Sequence, residues 1–147
     1  MRKLIGVVFV LGLGACHGSV AHQAPGPGVP GANSARDAVA AFLAGVNAGD
    51  LQAMSAVWGT PTGLARDDIP LKDLEEREAI TIRCLKNDRY TVNSEASGPE
   101  GRRILNIALT RGTLTRIADF TAVTGPNGRW FFEKVDLGTL MDLCKAK

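Results

Sequence analysis

A change of hydrophobic period near residue 90 constrains the fold of this chain most strongly. Before that point, apolar residues recur every three or four positions, as they do along one face of an α-helix. After it, apolar and polar residues alternate, and residues 104–111 place Leu105, Ile107 and Leu109 on one side of a strand. The chain is therefore predicted to be an α+β protein whose N-terminal helices pack on a sheet built from the later residues.

Short turns divide the second half of the chain into strands, predicted at residues 90–96, 104–111, 114–124 and 129–135. Residues 98–101 and 125–128 share the pattern Gly-Pro-x-Gly, which suits a tight turn, and Gly112 suits the first position of a two-residue hairpin. Because each connection is short, the four strands should pair in order as a curved antiparallel meander. Residues 136–144 should then close the chain as a short helix.

The first half of the folded part carries the signals of three helices. Ser34 has the chemistry of an N-cap, Gly49 ends the first helix, and Asp50 caps a short second one. Pro70 stands where the first turn of the third helix, residues 71–85, tolerates proline. Acidic residues come early and basic residues late in this helix, which complements its dipole. We interpret its charges as a solvated face that includes Glu75, Glu76 and Glu78.

The N-terminus has the layout of an export signal. Two basic residues precede an uncharged apolar run, residues 4–14, which is too short to span a bilayer as a helix. The run leads into Leu-Gly-Ala-Cys at residues 13–16, which resembles the lipobox of bacterial lipoproteins. The resemblance implies cleavage before Cys16, a diacylglycerol on its sulfur, an acylated amino group, and attachment to the membrane through this lipid. The alternative is an ordinary signal peptide with a chance cysteine after it.

These signals divide the chain into a signal peptide at residues 1–15, a lipidated cysteine with its tether at residues 16–33, and one globular domain at residues 34–147. The tether is rich in proline and glycine, so it is predicted to be flexible. Its two histidines, His17 and His22, are interpreted as solvated spacer residues and not as metal ligands. Because His17 and not aspartate follows the cysteine, resemblance to enteric lipoprotein sorting implies the outer membrane, facing the periplasm.

Charge excludes one class of partner. Cleavage removes two basic residues and no acidic one from a chain of formal charge +2, so the mature protein carries no net charge. No electrostatic basis for nucleic-acid binding remains, and lipid rather than a basic patch would hold the protein at the membrane. No glycine-rich phosphate loop follows a predicted strand, so no cofactor is expected.

The two cysteines of the folded part form an even pair in an oxidising compartment. Cys84 ends the third predicted helix and Cys144 lies near the end of the chain, so a disulfide between them would tie the last segment to the helices. The alternative is two separate buried thiols. A metal site is not expected, because the folded part contains no histidine and two thiols lack further soft ligands.

The order of helices and strands resembles the cone-shaped fold of the nuclear-transport-factor-two-like superfamily. The resemblance rests on that order, on Ala-Val-Ala-Ala-Phe-Leu-Ala-Gly-Val-Asn-Ala-Gly-Asp-Leu at residues 38–51, and on the late Gly-Arg-Trp-Phe-Phe at residues 128–132. In particular, the chain is similar to small bacterial lipoproteins of that fold that have no assigned activity. The superfamily also includes isomerases, dehydratases and pure binding modules, so the fold does not choose among them.

Two functions of different classes follow. The first is a non-catalytic module, anchored in the envelope, that binds an envelope protein or an apolar small molecule. The second is an isomerase-like or dehydratase-like enzyme that uses Asp119 and Tyr90 inside the cone, and it requires both side chains to point into one pocket. Against it, Asp119 is expected to be an exposed strand residue and Tyr90 a packing residue. A homodimer formed through the open face of the sheet is a third alternative.

Overall fold

The computed structural model describes residues 29–146. The signal peptide, Cys16, His17, His22 and most of the tether lie outside the described residues, so the predictions made for them stay predictions. Within residues 29–146, helices are followed by a four-stranded antiparallel sheet, which confirms the predicted α+β class and the order of its elements.

The helices of this part are α1 Ala35–Ala48, α2 Leu51–Ser55, α3 Ala65–Asp68, α4 Leu71–Leu85 and α5 Met141–Lys145. Its strands are β1 Gly59–Thr60, β2 Gly63–Leu64, β3 Arg89–Ser97, β4 Arg103–Arg111, β5 Leu114–Thr124 and β6 Trp130–Val135. Short 3₁₀ turns lie at Pro99–Gly101, Pro126–Gly128 and Leu137–Leu140. The predicted boundaries of α1, α4 and the strands β3 to β6 agree with these bounds within one or two residues.

Local capping explains where the first two helices begin and end. The Ser34 hydroxyl accepts a hydrogen bond from the Asp37 amide at 3.1 Å, and Gly49 adopts the left-handed conformation that ends α1, with φ 67°. The Asp50 carboxylate accepts from the Ala53 amide at 3.0 Å and so starts α2. Pro70 occupies the N-cap position of α4, just before the first turn in which we had placed it.

The four long strands pair in the order β3-β4-β5-β6, so the predicted meander is confirmed. Leu105 lies opposite Phe120, and Ile107 lies opposite Ala118, and these side chains form the inner face of the sheet. Register shifts interrupt the ladder near Asn93 in β3 and between β5 and β6. Such bulges bend a strand and increase its twist.

The inner face of the sheet packs on α1 through stacked aromatic rings. The ring centroids of Phe42 and Phe132 lie 3.8 Å apart at 21° between their planes, and Trp58 meets Phe42 edge-on at 5.6 Å. The indole N–H of Trp58 donates to the Glu133 carbonyl at 3.1 Å, so its one polar group is satisfied. Phe42, Phe120 and Phe132 are almost fully buried and form the centre of the core.

The hairpin of β1 and β2 at residues 59–64, and the helix α3 that follows it, were not predicted from the sequence. The hairpin covers the outer face of the sheet next to β6, where Leu64 packs with Val123 and Phe131. Gly59 has to be glycine, because a Cβ there would lie 2.5 Å from the Gly63 carbonyl oxygen. Strands of two residues are too short to show alternation, so the sequence pattern could not reveal them.

The folded part also begins earlier than residue 34. Residues 30–33, here called the N-terminal strap, run between the end of α2 and the start of β6. The Gly31 amide donates to the Ala56 carbonyl at 2.8 Å, and Ala32 exchanges two backbone hydrogen bonds with Trp130. Arg129 donates to carbonyls of the strap and to the Asn33 side chain. Their composition predicted that these residues belong to the tether, whereas hydrogen bonds to Arg129 and Trp130, almost a hundred residues further along the chain, hold them in place.

The end of the chain packs against α4. Leu140 and Leu143 are fully buried, and the Sγ atoms of Cys84 and Cys144 lie 2.11 Å apart, at disulfide distance. Arg83 donates to the Cys144 carbonyl, and Arg111 donates to the carbonyls of Lys86 and Leu143. Two arginines therefore satisfy carbonyls near the ends of both helices beside the cysteine pair.

Candidate functional site

A groove of about 680 Å³ runs along α1 and α2. Its walls are mainly alanine side chains, and we call it the alanine groove; its alanines include Ala40, Ala41, Ala44, Ala48, Ala53 and Ala56. The sequence of α1 explains this lining. Its large apolar residues Phe42, Leu43 and Val46 turn into the core, which leaves the small ones on the opposite side.

The polar residues that line the alanine groove are Asn33, Asp37, Asp50, Tyr90 and Arg129, and the structure gives several of them partners. The Asp50 carboxylate caps α2, and the Arg129 guanidinium is held by the N-terminal strap. Tyr90 lines the groove from β3, with its side chain about one-third exposed. A surface of this kind offers apolar contact area beside polar groups, as the binding surfaces of proteins do.

Asp119 and Tyr90 lie on opposite faces of the sheet. Tyr90 is paired with Leu109, which points into the core, whereas Asp119 is paired with Asn106 on the outer face. Leu109 and Asn106 are three residues apart in the regular strand β4, so their side chains point to opposite sides. The structure therefore does not bring the two candidate catalytic side chains into one pocket. The enzyme alternative requires both of them there, so this arrangement does not support it.

The outer face of the sheet carries a ladder of polar side chains. The side-chain amide of Asn93 donates to the side-chain oxygen of Asn106 at 3.0 Å. The side-chain amide of Asn106 in turn donates to the exposed Asp119 carboxylate at 2.7 Å. Ile117 stands beside them, 54% exposed. A two-fold dimer centred on this ladder would bring two Asp119 carboxylates together, which is unfavourable between strands. The alanine groove is thus the better candidate for a binding surface.

The acidic residues of α4 are not all solvated, and this prediction is wrong for Glu78. Glu75 and Glu76 are exposed as expected, but Glu78 is only 1% exposed and its Oε1 accepts a hydrogen bond from the Ser55 hydroxyl at 2.6 Å. Burial raises the pKa of Glu78; the Ser55 hydrogen bond lowers that pKa in part, and the charge of Glu75 raises it further.

The sequence places Leu71, Leu74, Ile82 and Leu85 near one apolar face of α4, and of these four the structure fully buries Leu74 and Leu85. Leu71 is 63% exposed, and Ile80, which was expected beside that face, is 56% exposed. Glu78, at helical spacing from Leu74 and Leu85, lies on the buried side with them.

Residues 29–146 hold no group of three or more His, Cys, Asp or Glu side chains that could ligate a metal ion. Within the same residues, every helix is too short or too polar to cross a bilayer.

No protein-family model, curated protein or solved structure matches this chain.

Proposed function

We propose that this protein is a lipid-anchored lipoprotein of the bacterial envelope whose domain binds a partner protein without catalysing a reaction. In this proposal Cys16 carries the lipid, and the alanine groove takes up apolar side chains of an envelope protein. The groove itself is the observation that carries the proposal, because its volume of about 680 Å³ and its mainly apolar lining are typical of a binding site.

A protein segment suits the groove better than an apolar small molecule. The groove is open along its length, and its alanine side chains leave space that a partner's larger side chains would fill. Small residues on a helix also let another backbone approach closely. Two polar residues of the lining already hold other parts of the fold, because the Asp50 carboxylate caps α2 and the Arg129 guanidinium donates to the N-terminal strap.

The proposed anchor places the groove near the membrane. Residues 17–29 connect Cys16 to the N-terminal strap, and 13 extended residues reach at most about 45 Å. The proposed location of the lipid anchor is the outer membrane, with the domain in the periplasm. We also propose that the domain has the cone-shaped fold of the nuclear-transport-factor-two-like superfamily, which the helix order and the bulged meander support.

Photo-crosslinking in the host tests the groove directly. A benzophenone amino acid replaces Ala48, at one end of the groove, or Ala79, an exposed alanine of α4 outside it, in the full lipidated chain. We expect a protein adduct from position 48 and none from position 79. We also expect Ala44→Glu to reduce the adduct at least tenfold, and Ala79→Glu to leave it unchanged.

Two outcomes would overturn the proposal. Equal adducts from positions 48 and 79 would show that contact with the groove is not specific. An adduct whose added mass is too small for a protein would show that an apolar small molecule is the occupant instead.

A further inference from the structure

The short helix α2 forms a wall of the alanine groove on one side and contacts a buried carboxyl group on the other. Ala53 and Ala56 line the groove, whereas Met54 and Ser55 are buried. The Ser55 hydroxyl donates to Glu78, which is itself almost fully buried in α4. Glu78 therefore stands directly behind the groove wall, in contact with the helix that builds it.

Within residues 29–146, no cation lies within ion-pair distance of Glu78. Its one hydrogen-bond partner among the described residues is Ser55, and the ion pairs of that part of the chain do not include it. A buried carboxylate with a single neutral partner is costly, because one hydroxyl does not replace the water that an ionised group loses on burial.

The elements packed against α4 are α1, α2, α3, α5 and the turn Leu137–Leu140. Their charged or titratable groups, with those of α4 itself, are Arg36, Asp37, Asp50, Arg66, Asp67, Asp68, Lys72, Asp73, Glu75, Glu76, Arg77, Arg83, Asp142 and Lys145, and Asp136 precedes the turn. Arg36 pairs with Glu95, and Asp142 pairs with Arg116. Of all these groups, Glu75 is the one whose charge acts on Glu78, and it opposes ionisation.

We propose that Glu78 is a proton-binding site that controls how closely α2 packs on α4, and thereby makes the shape of the alanine groove depend on pH. As a statement about partner binding, the inference rests on the proposed function of the groove. As a statement about α2, it stands on the Ser55–Glu78 contact alone.

The two protonation states of Glu78 have different consequences for α2. The neutral acid still accepts the Ser55 hydroxyl and has little need of water, so α2 stays packed on α4. The carboxylate gains by being hydrated, and five-residue α2 is the element that has to move for water to reach it. Acidification should therefore close α2 against α4, and higher pH should loosen it.

The sign of the effect on stability follows from linkage. Because the pKa of Glu78 is higher in the folded chain than in the unfolded one, the folded state holds the proton more strongly. The cost of burying the carboxylate is therefore fully present above the folded pKa, and it is relieved as the pH falls towards the ordinary value of about 4.3.

An NMR titration of the unlipidated chain, residues 16–147 with Cys16→Ser, tests the inference without any ligand. The side-chain carboxyl carbon of Glu78 should titrate with a midpoint above about 4.3. The methyl signals of Ala56 and Val57, which line the groove, should move with the same midpoint. Ser55→Ala should shift that midpoint upwards, because it removes the hydrogen bond that favours the carboxylate.

The control variants identify the source of the change. Glu78→Gln keeps an acceptor for Ser55 and should abolish the inflection of the methyl signals, whereas Glu76→Gln, at an exposed carboxyl of the same helix, should leave it unchanged. The inference is overturned if Glu78 titrates at its ordinary value, or if the methyl inflection persists in Glu78→Gln. Whether Glu78 titrates at its ordinary value is measured on the wild-type chain, so this test holds even if a variant fails to fold.

The outcomes also separate this inference from the proposed function. If the groove signals titrate together with Glu78 but no groove-specific adduct forms, the pH dependence of the groove is supported and the binding of a partner protein is rejected. If a groove-specific adduct forms with equal yield at low and neutral pH and the groove signals do not titrate with Glu78, the binding of a partner protein is supported and the pH dependence is rejected.

Discussion

Reduction of the Cys84–Cys144 pair should lower stability by a predictable amount. The two residues are separated by 60 positions, and a bridge between them would close about half of the domain into one loop. In the chain-entropy account, closing a loop of that size removes enough freedom from the unfolded chain to stabilise the fold by about 4 kcal/mol at 25 °C. Domains of this size are stable by about 5–15 kcal/mol, so this is a large share.

The folded state should survive reduction with little change. Leu140 and Leu143 remain fully buried contacts between the last segment and the core, and Arg111 still donates to the carbonyls beside them. The predicted loss is therefore one of stability and not of structure. With a denaturant slope near 2 kcal/mol per M, the urea midpoint should fall by about 2 M.

Urea unfolding of the unlipidated chain, with and without reductant, measures this difference. The matched control is the double variant Cys84→Ala/Cys144→Ala, which should be about as unstable as the reduced chain and should not respond to reductant. The reasoning is refuted if reductant leaves the wild-type midpoint unchanged. Titration that finds two reactive thiols in the unreduced chain would favour the alternative of separate thiols.

Two further predictions concern the anchor and the core. Cys16→Ser should abolish fatty-acid labelling and release the protein from membranes, and labelling that persists in this variant would contradict the lipoprotein proposal. Phe42→Ala should cost about 3–5 kcal/mol in urea unfolding, because it empties the centre of the aromatic core. Leu71→Ala, at a side chain 63% exposed, should stay within about 0.5 kcal/mol, and equal losses would place the core elsewhere.

Elements that depend on neighbouring residues were predicted well. Ser34 caps α1 through the amide three residues on, and Gly49 ends it by a left-handed conformation that glycine adopts easily. The turns at Pro99–Gly101 and Pro126–Gly128 depend likewise on a few adjacent residues. Because such interactions span three or four positions, a single sequence contains the information that they need.

Features that depend on distant residues were missed. The N-terminal strap is held by Trp130 and Arg129, and its own proline and glycine residues suggested a tether. Glu78 is buried because α4 turns that side towards α2, whereas its charge predicted a solvated position. Tyr90 and Asp119 could be assigned to separate faces only from the register of β3 and β5 on β4.

The sequence by itself determined the α+β class and the order of the long helices and strands, and it predicted an export signal, because hydrophobic period, caps and turns are local properties of the chain. The tertiary structure decided which faces meet. It made the alanines of α1 and α2 into a groove, and it buried the carboxyl group of Glu78 behind one wall. The physical reason is that a residue is buried only when another element packs over it, and a short stretch of sequence does not show which element that will be.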